Sequence, residues 1–494
     1  MNDKAVKVVF IAIASLLLLF GAPGVCSAAT HSVNDLATPR SSAPVLGEQR
    51  TIVILVEFED KKHFLSREYF VDLVFTKFND YYREVSYNQV WLTGDVLDWV
   101  ALPVSSNAYE LGWAPAGQHV RAEYRRFAAR VVRSVDKMVD FSQYECIIIF
   151  AAGGFVSGFH DFYPLGAYGG AWSISTDDGI FNRKGFVSGS ENTPWVYLMH
   201  ELSHSLLQLP DLQYHLKIPG AGPEEVTPDF FMCDRWDPMS RPSASYGIGH
   251  FCAGNKIRLG WLPPERTNVI QGGQTRTVTI DPLALQTEGI QVIKVVTATS
   301  KYYLVELRRK IGFDTYLPGE GVLITWIDET KTSRSDWAEV FGVEPDMIPY
   351  WVPMTLPPEG IWKLQDAHPF TPSLSDAAFE VGQGYVDQAN NLAIVVTRQV
   401  GKSYELVVTT AADGQILLEE MKQHKRELST AITAAEDAVE LARQESRIGG
   451  LDRAETLMDE ASSNYQFGKY ERAVALASQA RDAAQTATKP QAYY

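Results

Sequence analysis

At 494 residues, with 46% hydrophobic and 21% charged side chains, the chain has the make-up of a globular protein and is too long for one ordinary domain. A formal net charge of −16 argues against nucleic acid or anionic lipid as the main partner, because surplus carboxylates repel phosphate. Acidity favours solubility and selects no substrate.

Residues 1–29 read as a signal peptide. Lys4 and Lys7 give a positive start, residues 8–20 are an unbroken small-and-apolar run, and Ala22-Pro23-Gly24 breaks it ahead of Ser27, Ala28 and Ala29. Cleavage is expected near Ala28 or Ala29, with the rest secreted to an extracellular or cell-surface location. An uncleaved signal anchor is the competing expectation. Cys26 follows Gly24-Val25, a poor lipidation context. No later stretch approaches the roughly 18 apolar residues that span a bilayer, so no stable membrane span is expected once the signal is removed. Residues 30–50, with Pro39, Pro44 and Gly47, read as a short flexible leader.

From Thr51 the pattern changes. Thr51-Ile52-Val53-Ile54-Leu55-Val56-Glu57-Phe58 is a β-branched run typical of a buried strand. A helix is predicted over 67–84, a strand pair near 86–103 and a helix near 117–137. An apolar strand follows over 145–151, with Cys146 as an inert core thiol. Gly169-Gly170-Ala171-Trp172-Ser173-Ile174-Ser175 is a further strand candidate, an edge on which an extended peptide can pair, or a plain sheet edge. Strands alternating with helices argue for an α/β domain over 51–265.

Within that domain His200-Glu201-Leu202-Ser203-His204 forms an H-E-x-x-H motif. Thr193-Pro194 reads as an N-cap followed by Pro at the first helical position. Trp195, Val196, Met199, Leu202 and Leu206 give the helix an apolar side. Histidines four residues apart lie one turn apart on one face, so both imidazoles reach a single ion. The intervening Glu201 is placed to deprotonate a water on that ion. A chance match in a chain of this length has odds of roughly one in a hundred.

A hydrolytic zinc ion takes three protein ligands and keeps one position open for water. His200 and His204 supply two. Asp211 is the favoured third, because Pro210 stops the helix and turns the chain back. His215 is an alternative, as are Glu224 and Glu225, which follow the loop Pro219-Gly220-Ala221-Gly222-Pro223. Tyr246 is a weak candidate for an oxyanion partner. His119, His160 and His250 carry no ligand spacing and read as structural. Asp177-Asp178-Gly179 reads as a turn, with calcium binding the alternative. Cys233 and Cys252 can pair in an oxidising compartment.

Beyond Trp261-Leu262-Pro263-Pro264 the helical signal stops. Residues 266–412 carry alternating strand patterns with Gly, Pro and Asp turns between them, which predicts a β-sandwich. Residues 413–489 turn rich in Ala, Glu, Lys, Arg and Leu, with helices predicted at about 415–447, 451–467 and 469–487. This helical tail is expected to form a hairpin or three-helix segment that binds a partner or self-associates.

The stretch from His200 to Asp211, with Trp236-Asp237-Pro238-Met239-Ser240, resembles the secreted immune-inhibitor-A family of zinc metallopeptidases. That family resembles the metzincins, where a methionine turn lies under the zinc site; Met239 matches it. Asp80-Tyr81-Tyr82-Arg83-Glu84-Val85-Ser86-Tyr87, Gly94-Asp95-Val96 and Lys256-Ile257-Arg258-Leu259-Gly260-Trp261-Leu262 resemble other parts of the family's catalytic domain. Tyr303-Leu304-Val305-Glu306-Leu307-Arg308 and Leu317-Pro318-Gly319-Glu320-Gly321 resemble its β-rich second domain, so the resemblance covers about 51–410. The family pattern is similar to H-E-x-x-H-x-x-G-x-x-D. Here Ser205-Leu206-Leu207-Gln208-Leu209-Pro210 has no glycine and one extra residue before Asp211, which points to a wider turn or a shifted third ligand.

The resemblance implies an α+β or α/β zincin-like catalytic domain, Zn2+ as cofactor and protein or peptide substrates. Peptide bonds would be hydrolysed by a zinc-activated water, with Glu201 as general base and then proton donor to the leaving amine. The alternative is a weak or inactive cell-surface scaffold that keeps a vestigial zinc site.

Overall fold

A computed structural model of the chain describes residues 44–109, 118–153, 165–167, 173–181, 185–214, 230–231, 233–240, 247–331, 333, 336, 339–340, 360–371 and 373–489. Residues 1–29, read as a signal peptide, with Cys26 among them, and residues 30–43 of the stretch read as leader lie outside the described residues. The rest is a mixed α/β structure with a mainly parallel sheet, several further sheets and C-terminal helices.

The β-branched run becomes strand β1 (Gly47–Glu57). Its alternation divides its side chains between two cores: Val53 and Leu55 face one, Ile52, Ile54 and Val56 the other. The strand begins at Gly47, inside the stretch read as flexible leader. Buried Val45 explains this, because its carbonyl accepts from the Trp261 indole at 3.0 Å and anchors the chain ahead of the sheet.

The helix predicted over 67–84 is α1 (Arg67–Asp72), a π-helical stretch (Leu73–Phe78) and α2 (Asn79–Val85). The strands β2 (Val90–Val96) and β3 (Val100–Ala101) do not pair with each other, contrary to the sequence expectation; both run parallel to β1. A helical crossover returns the chain in the same direction, so β1 is the partner within reach. α3 (Gln118–Val135) packs Tyr124, Phe127, Val131 and Val135 on one face of the sheet. β4 (Cys146–Ala151) is buried throughout. Among the described residues, β5 (Leu165–Ala167) is the antiparallel edge strand, and β6 (Ile174–Thr176) pairs only with β7 (Gly179–Phe181). Of the strand candidate 169–175, residues 169–172 lie outside the described residues, and Ile174 and Ser175 fall in β6. β8 (Gly185–Ser190) completes the order β2-β1-β4-β8-β5. α4 (Trp195–Leu206) lies on the face opposite α3, through Leu198, Met199, Leu202 and Leu206.

After α4 come a two-stranded pair, β9 (Gln213–Tyr214) with β10 (Phe230–Phe231), and the short helix α5 (Ala253–Arg258). Among the described residues, nine strands follow in two sheets. β11 (Thr267–Gln271), β13 (Val292–Ala298), β14 (Lys301–Arg308), β15 (Gly321–Asp328) and β16 (Ile361–Leu364) form one. β12 (Arg276–Ile280), β17 (Gly384–Asp387), β18 (Leu392–Val400) and β19 (Ser403–Thr409) form the other, in the order β12-β19-β18-β17. Residues from both sheets meet in one apolar cluster, with Val305 and Ile324 from the first and Ile394 and Leu406 from the second.

The first of these sheets also joins the core of the preceding segment: Val292, Leu304, Ile361 and Trp362 share a cluster with Leu202, Phe251 and Trp261. Gly254 on α5 marks the closeness of that contact, since a Cβ there would meet the Trp362 ring at 2.4 Å. The tail forms α6 (Ala411–Gln444), α7 (Leu451–Gln466) and α8 (Tyr470–Gln485). Leu418, Met421, Leu428, Tyr465 and Leu476 join the cluster of the two β-sheets, so much of the tail's apolar surface is used within the chain. Among the described residues, no helix is long and apolar enough to cross a membrane.

Candidate metal centre

α4 starts differently from the sequence expectation. Thr193 does not cap it: its Oγ1 accepts from the Ser190 amide at 2.9 Å and bonds the Ser190 hydroxyl, and Pro194 takes the N-cap position. The apolar side of the helix fixes its rotation, and this turns His200 and His204 toward one point. Their side chains are 6% and 7% exposed.

The departure from the family pattern has a local explanation. Gln208 follows the end of α4 with φ at +58°, the left-handed conformation that a glycine usually supplies. The turn closes as the amides of Leu207 and Leu209 both donate to Ser203 O, at 3.2 and 3.3 Å. Arg258 donates to the Gln208 carbonyl at 3.3 Å, and Leu209 and Leu212 are fully buried on either side of Asp211. A non-glycine residue in this conformation costs about 1–2 kcal/mol, an amount the burial of two leucines offsets. The extra residue is absorbed in the turn, and Asp211 comes back to the histidines.

Three atoms converge. His200 Nε2 and His204 Nε2 are 3.1 Å apart, and Asp211 Oδ1 is 3.1 Å from the first and 3.2 Å from the second. Ligands about 2.0–2.1 Å from a tetrahedral zinc ion stand about 3.3 Å from one another, so the triangle has the size of three zinc ligands. The Asp211 side chain is 39% exposed, which leaves the cluster open to solvent on its side.

The hydrogen bonds behind the triangle fit the same ion. His200 Nδ1 donates to Pro238 O at 2.9 Å, and His204 Nδ1 donates to Leu209 O at 2.7 Å. A carbonyl only accepts, so each Nδ1 carries a proton and each ring turns its Nε2 to the shared point. Burial disfavours charge on His204, but the carboxylates of Asp211 and Glu201 and the Leu209 carbonyl outweigh it and push the imidazole up to about 9. Burial works against the Asp211 carboxylate, yet the two imidazoles hold it well below the usual carboxylate range. The cluster favours positive charge at its centre, as a proton or as a divalent ion.

Pro238 belongs to a turn organised by Asp237, a buried residue whose weight sequence reasoning missed. Asp237 Oδ1 accepts from the Met239 amide at 2.7 Å; Oδ2 accepts from the Cys252 amide at 2.7 Å and from Asn255 Nδ2 at 2.9 Å. Met239 is fully buried in the cluster that holds Met199, Leu202 and Leu206, and its carbonyl accepts from Leu212 N at 2.7 Å, next to Asp211. One turn thus orients His200 and pins the chain at Leu212, next to Asp211. The signal in the sequence was an acidic residue two before Met239; the three donors it gathers are unreadable without the fold.

Glu201 is half-buried on α4, one position from His200, and its charge reaches His204. His215, Glu224, Glu225, Tyr246 and His160 lie outside the described residues, as does the side chain of His119. His250 is fully buried away from the triangle, with Nε2 2.9 Å from Glu84 and Nδ1 3.0 Å from Lys256 Nζ. Asp177-Asp178-Gly179 is the turn of the β6–β7 hairpin, where Asp178 accepts from the Phe141 amide at 2.9 Å. Among the described residues, that turn is not one of the groups of three able to hold an ion. The disulfide considered between Cys233 and Cys252 is not formed; both are buried free thiols, and burial raises both so that they stay protonated.

No family model matches the chain, and no curated protein matches it.

Proposed function

We propose that the chain is a secreted zinc-dependent endopeptidase resembling immune inhibitor A, with a zincin-like catalytic domain over 51–265 and a β-sandwich over 266–412. The observation that carries this reading is the triangle of His200 Nε2, His204 Nε2 and Asp211 Oδ1, with sides of 3.1, 3.1 and 3.2 Å, beside Glu201 on the same helix. Those three residues would hold the metal. When bound, zinc supplies Lewis acidity, lowering the pKa of a water toward about 7 and polarising a carbonyl.

The chain's own groups do the rest. With a metal bound, the two backbone-tethered imidazoles would be held with Nε2 toward it. Glu201, next to His200 on the same helix, would accept a proton from the attacking water and return it to the leaving amine. The strand β5, which among the described residues pairs only with β8, offers backbone donors and acceptors to an extended chain, which favours protein or peptide substrates.

The test is cleavage of an unfolded protein by the full chain, with a zinc chelator and with Glu201→Ala. Chelation should abolish cleavage and added zinc restore it. Glu201→Ala should lose about 10²–10⁴-fold in rate while keeping its zinc. Undiminished cleavage by Glu201→Ala refutes the assignment. Zinc retention with no cleavage of any unfolded substrate favours the scaffold alternative.

A further inference from the structure

Away from the metal centre, Glu84, His250 and Lys256 lie in one line. Glu84 stands near the end of α2 with its side chain 36% exposed; His250 and Lys256, the second on α5, are fully buried. His250 joins the other two through both ring nitrogens, with Nε2 2.9 Å from Glu84 Oε1 and Nδ1 3.0 Å from Lys256 Nζ. We propose that this line is an acid-released latch. One proton on the His250–Lys256 pair leaves it closed; a second breaks it and loosens α2 from the 248–256 segment and from the Gly312–Tyr316 turn.

Donor counting carries the argument. Burial opposes charge on Glu84, but His250 and the Phe313 amide, which donates to the same Oε1 at 2.6 Å, outweigh it and hold the group as a carboxylate. A carboxylate only accepts, so His250 Nε2 carries a proton and donates to it. In a neutral ring Nδ1 is then the acceptor, and the Lys256 amine donates to it with or without its own charge. With a proton on both, a ring N–H faces an ammonium that has only donors, and two like charges meet with no acceptor between them. Among the described residues, His250 Nδ1 is the one hydrogen-bond partner of the Lys256 amine, whose other contact is the Tyr87 ring at 4.0 Å.

The ring is held from its backbone. The His250 amide donates to Asp314 Oδ1 at 2.7 Å, and its carbonyl accepts from Arg308 Nη2 at 3.0 Å, with Glu306 ion-paired to the same arginine. Burial and the Lys256 charge keep the imidazole below its ordinary 6.5, while burial lowers the amine to about 7. The pair therefore takes one charge near neutral pH and resists the second. The Gly312–Tyr316 turn rests on the same carboxylate, since a Cβ on Gly312 would meet Glu84 Oε1 at 2.0 Å. Turning the His250 ring away removes one of the two donors that fix this oxygen. Once released, His250 titrates near 6.5, so at lower pH the open form takes up a proton that the closed form resists, and the latch weakens as pH falls.

The experiment is hydrogen exchange of the full chain at pH 7.5 and 5.5, read in peptides that hold the His250 and Phe313 amides and corrected for the intrinsic rate at each pH. Wild type should lose about tenfold or more in protection at pH 5.5, because an imidazole that titrates near 6.5 is charged about ten to one there. His250→Gln keeps a donor for Glu84 and an acceptor for Lys256 but takes up no proton, so its protection should change by a few-fold at most. Equal losses in the two proteins overturn the latch. Imidazole carbon NMR gives a second reading that leaves His250 in place. His250 should titrate higher in Lys256→Met than in wild type, by about one unit or more, because the opposing ammonium is gone. The same titration in both proteins overturns the proposal.

Discussion

Single residues carry unequal burdens in this site. Gln208 is the least expected, because it holds a left-handed turn with no glycine. Gln208→Gly should stabilise the protein by up to about 1 kcal/mol and leave zinc affinity unchanged, since glycine adopts that conformation without strain. Gln208→Val should cost about 1–2 kcal/mol and weaken zinc binding, because a β-branched side chain resists positive φ and Asp211 depends on the turn. Urea titration and zinc competition measure both; equal zinc affinity in the two variants would break the link between the turn and the third ligand.

Lys256 gives a pH test remote from the metal. Burial opposes its charge and lowers it from 10.5 to about 7. The folded protein therefore releases this proton near pH 7, while the unfolded chain keeps it to about 10.5. Between those values the unfolded state binds more protons, so this group's contribution to stability rises with pH and is lost as pH falls toward 7. Lys256→Met removes the titration, so the stability of the variant relative to wild type should fall, on the order of 1 kcal/mol per pH unit, between pH 7.5 and 9.5. A pH-independent difference in urea midpoints would contradict the assignment.

At the scale of elements, the three proposed metal ligands sit within one helix and one turn, but their orientation comes from the turn around Asp237 and Met239. Asp237→Ala leaves the Met239 and Cys252 amides and the Asn255 amide group without their acceptor in a buried setting. Each orphaned donor costs about 1–3 kcal/mol, so the variant should unfold at markedly lower temperature and bind zinc about 10–100-fold more weakly. Asp237→Asn, which keeps one acceptor oxygen, should fall between the two. Wild-type zinc affinity in a folded Asp237→Ala protein would show that the turn orients nothing.

Much of this scale was legible in the sequence. Apolar spacing placed the motif helix, the buried strand over β1 and the three tail helices, whose ends lie within about four residues of where periodicity put them. The motif named His200, Glu201, His204 and Asp211 as candidates. Periodicity failed where partners are chosen by distant chain: β2 and β3 pair with β1 instead of each other, and Thr193 spends its hydroxyl on Ser190 instead of on the helix. A cap or a pairing is a competition among acceptors, and local sequence does not show the competitors.

At the scale of the whole molecule, the β-rich half is no appendage. Arg308 on β14 is fully buried and uses all five of its N–H donors: Nε and Nη2 on Asp314, Nη1 on Glu306 and the Trp236 carbonyl, and Nη2 again on the His250 carbonyl. Two of those acceptors belong to segments on either side of the methionine turn. Arg308→Met should strand two buried carboxylates and cost about 3–5 kcal/mol. It should also lower zinc affinity, although Arg308 touches no ligand, and both effects are read by thermal melts and zinc competition. Unchanged metal affinity in a folded Arg308→Met protein would separate the two halves functionally.

The tethers on His200 and His204 have one further consequence. Both end on peptide oxygens, which every amino acid carries, so substitution of Pro238 or Leu209 cannot delete either acceptor; it can only move it. Drift in this region should therefore erode the grip on metal gradually, by displacing the backbone, and spare it the abrupt loss of a tautomer-setting partner.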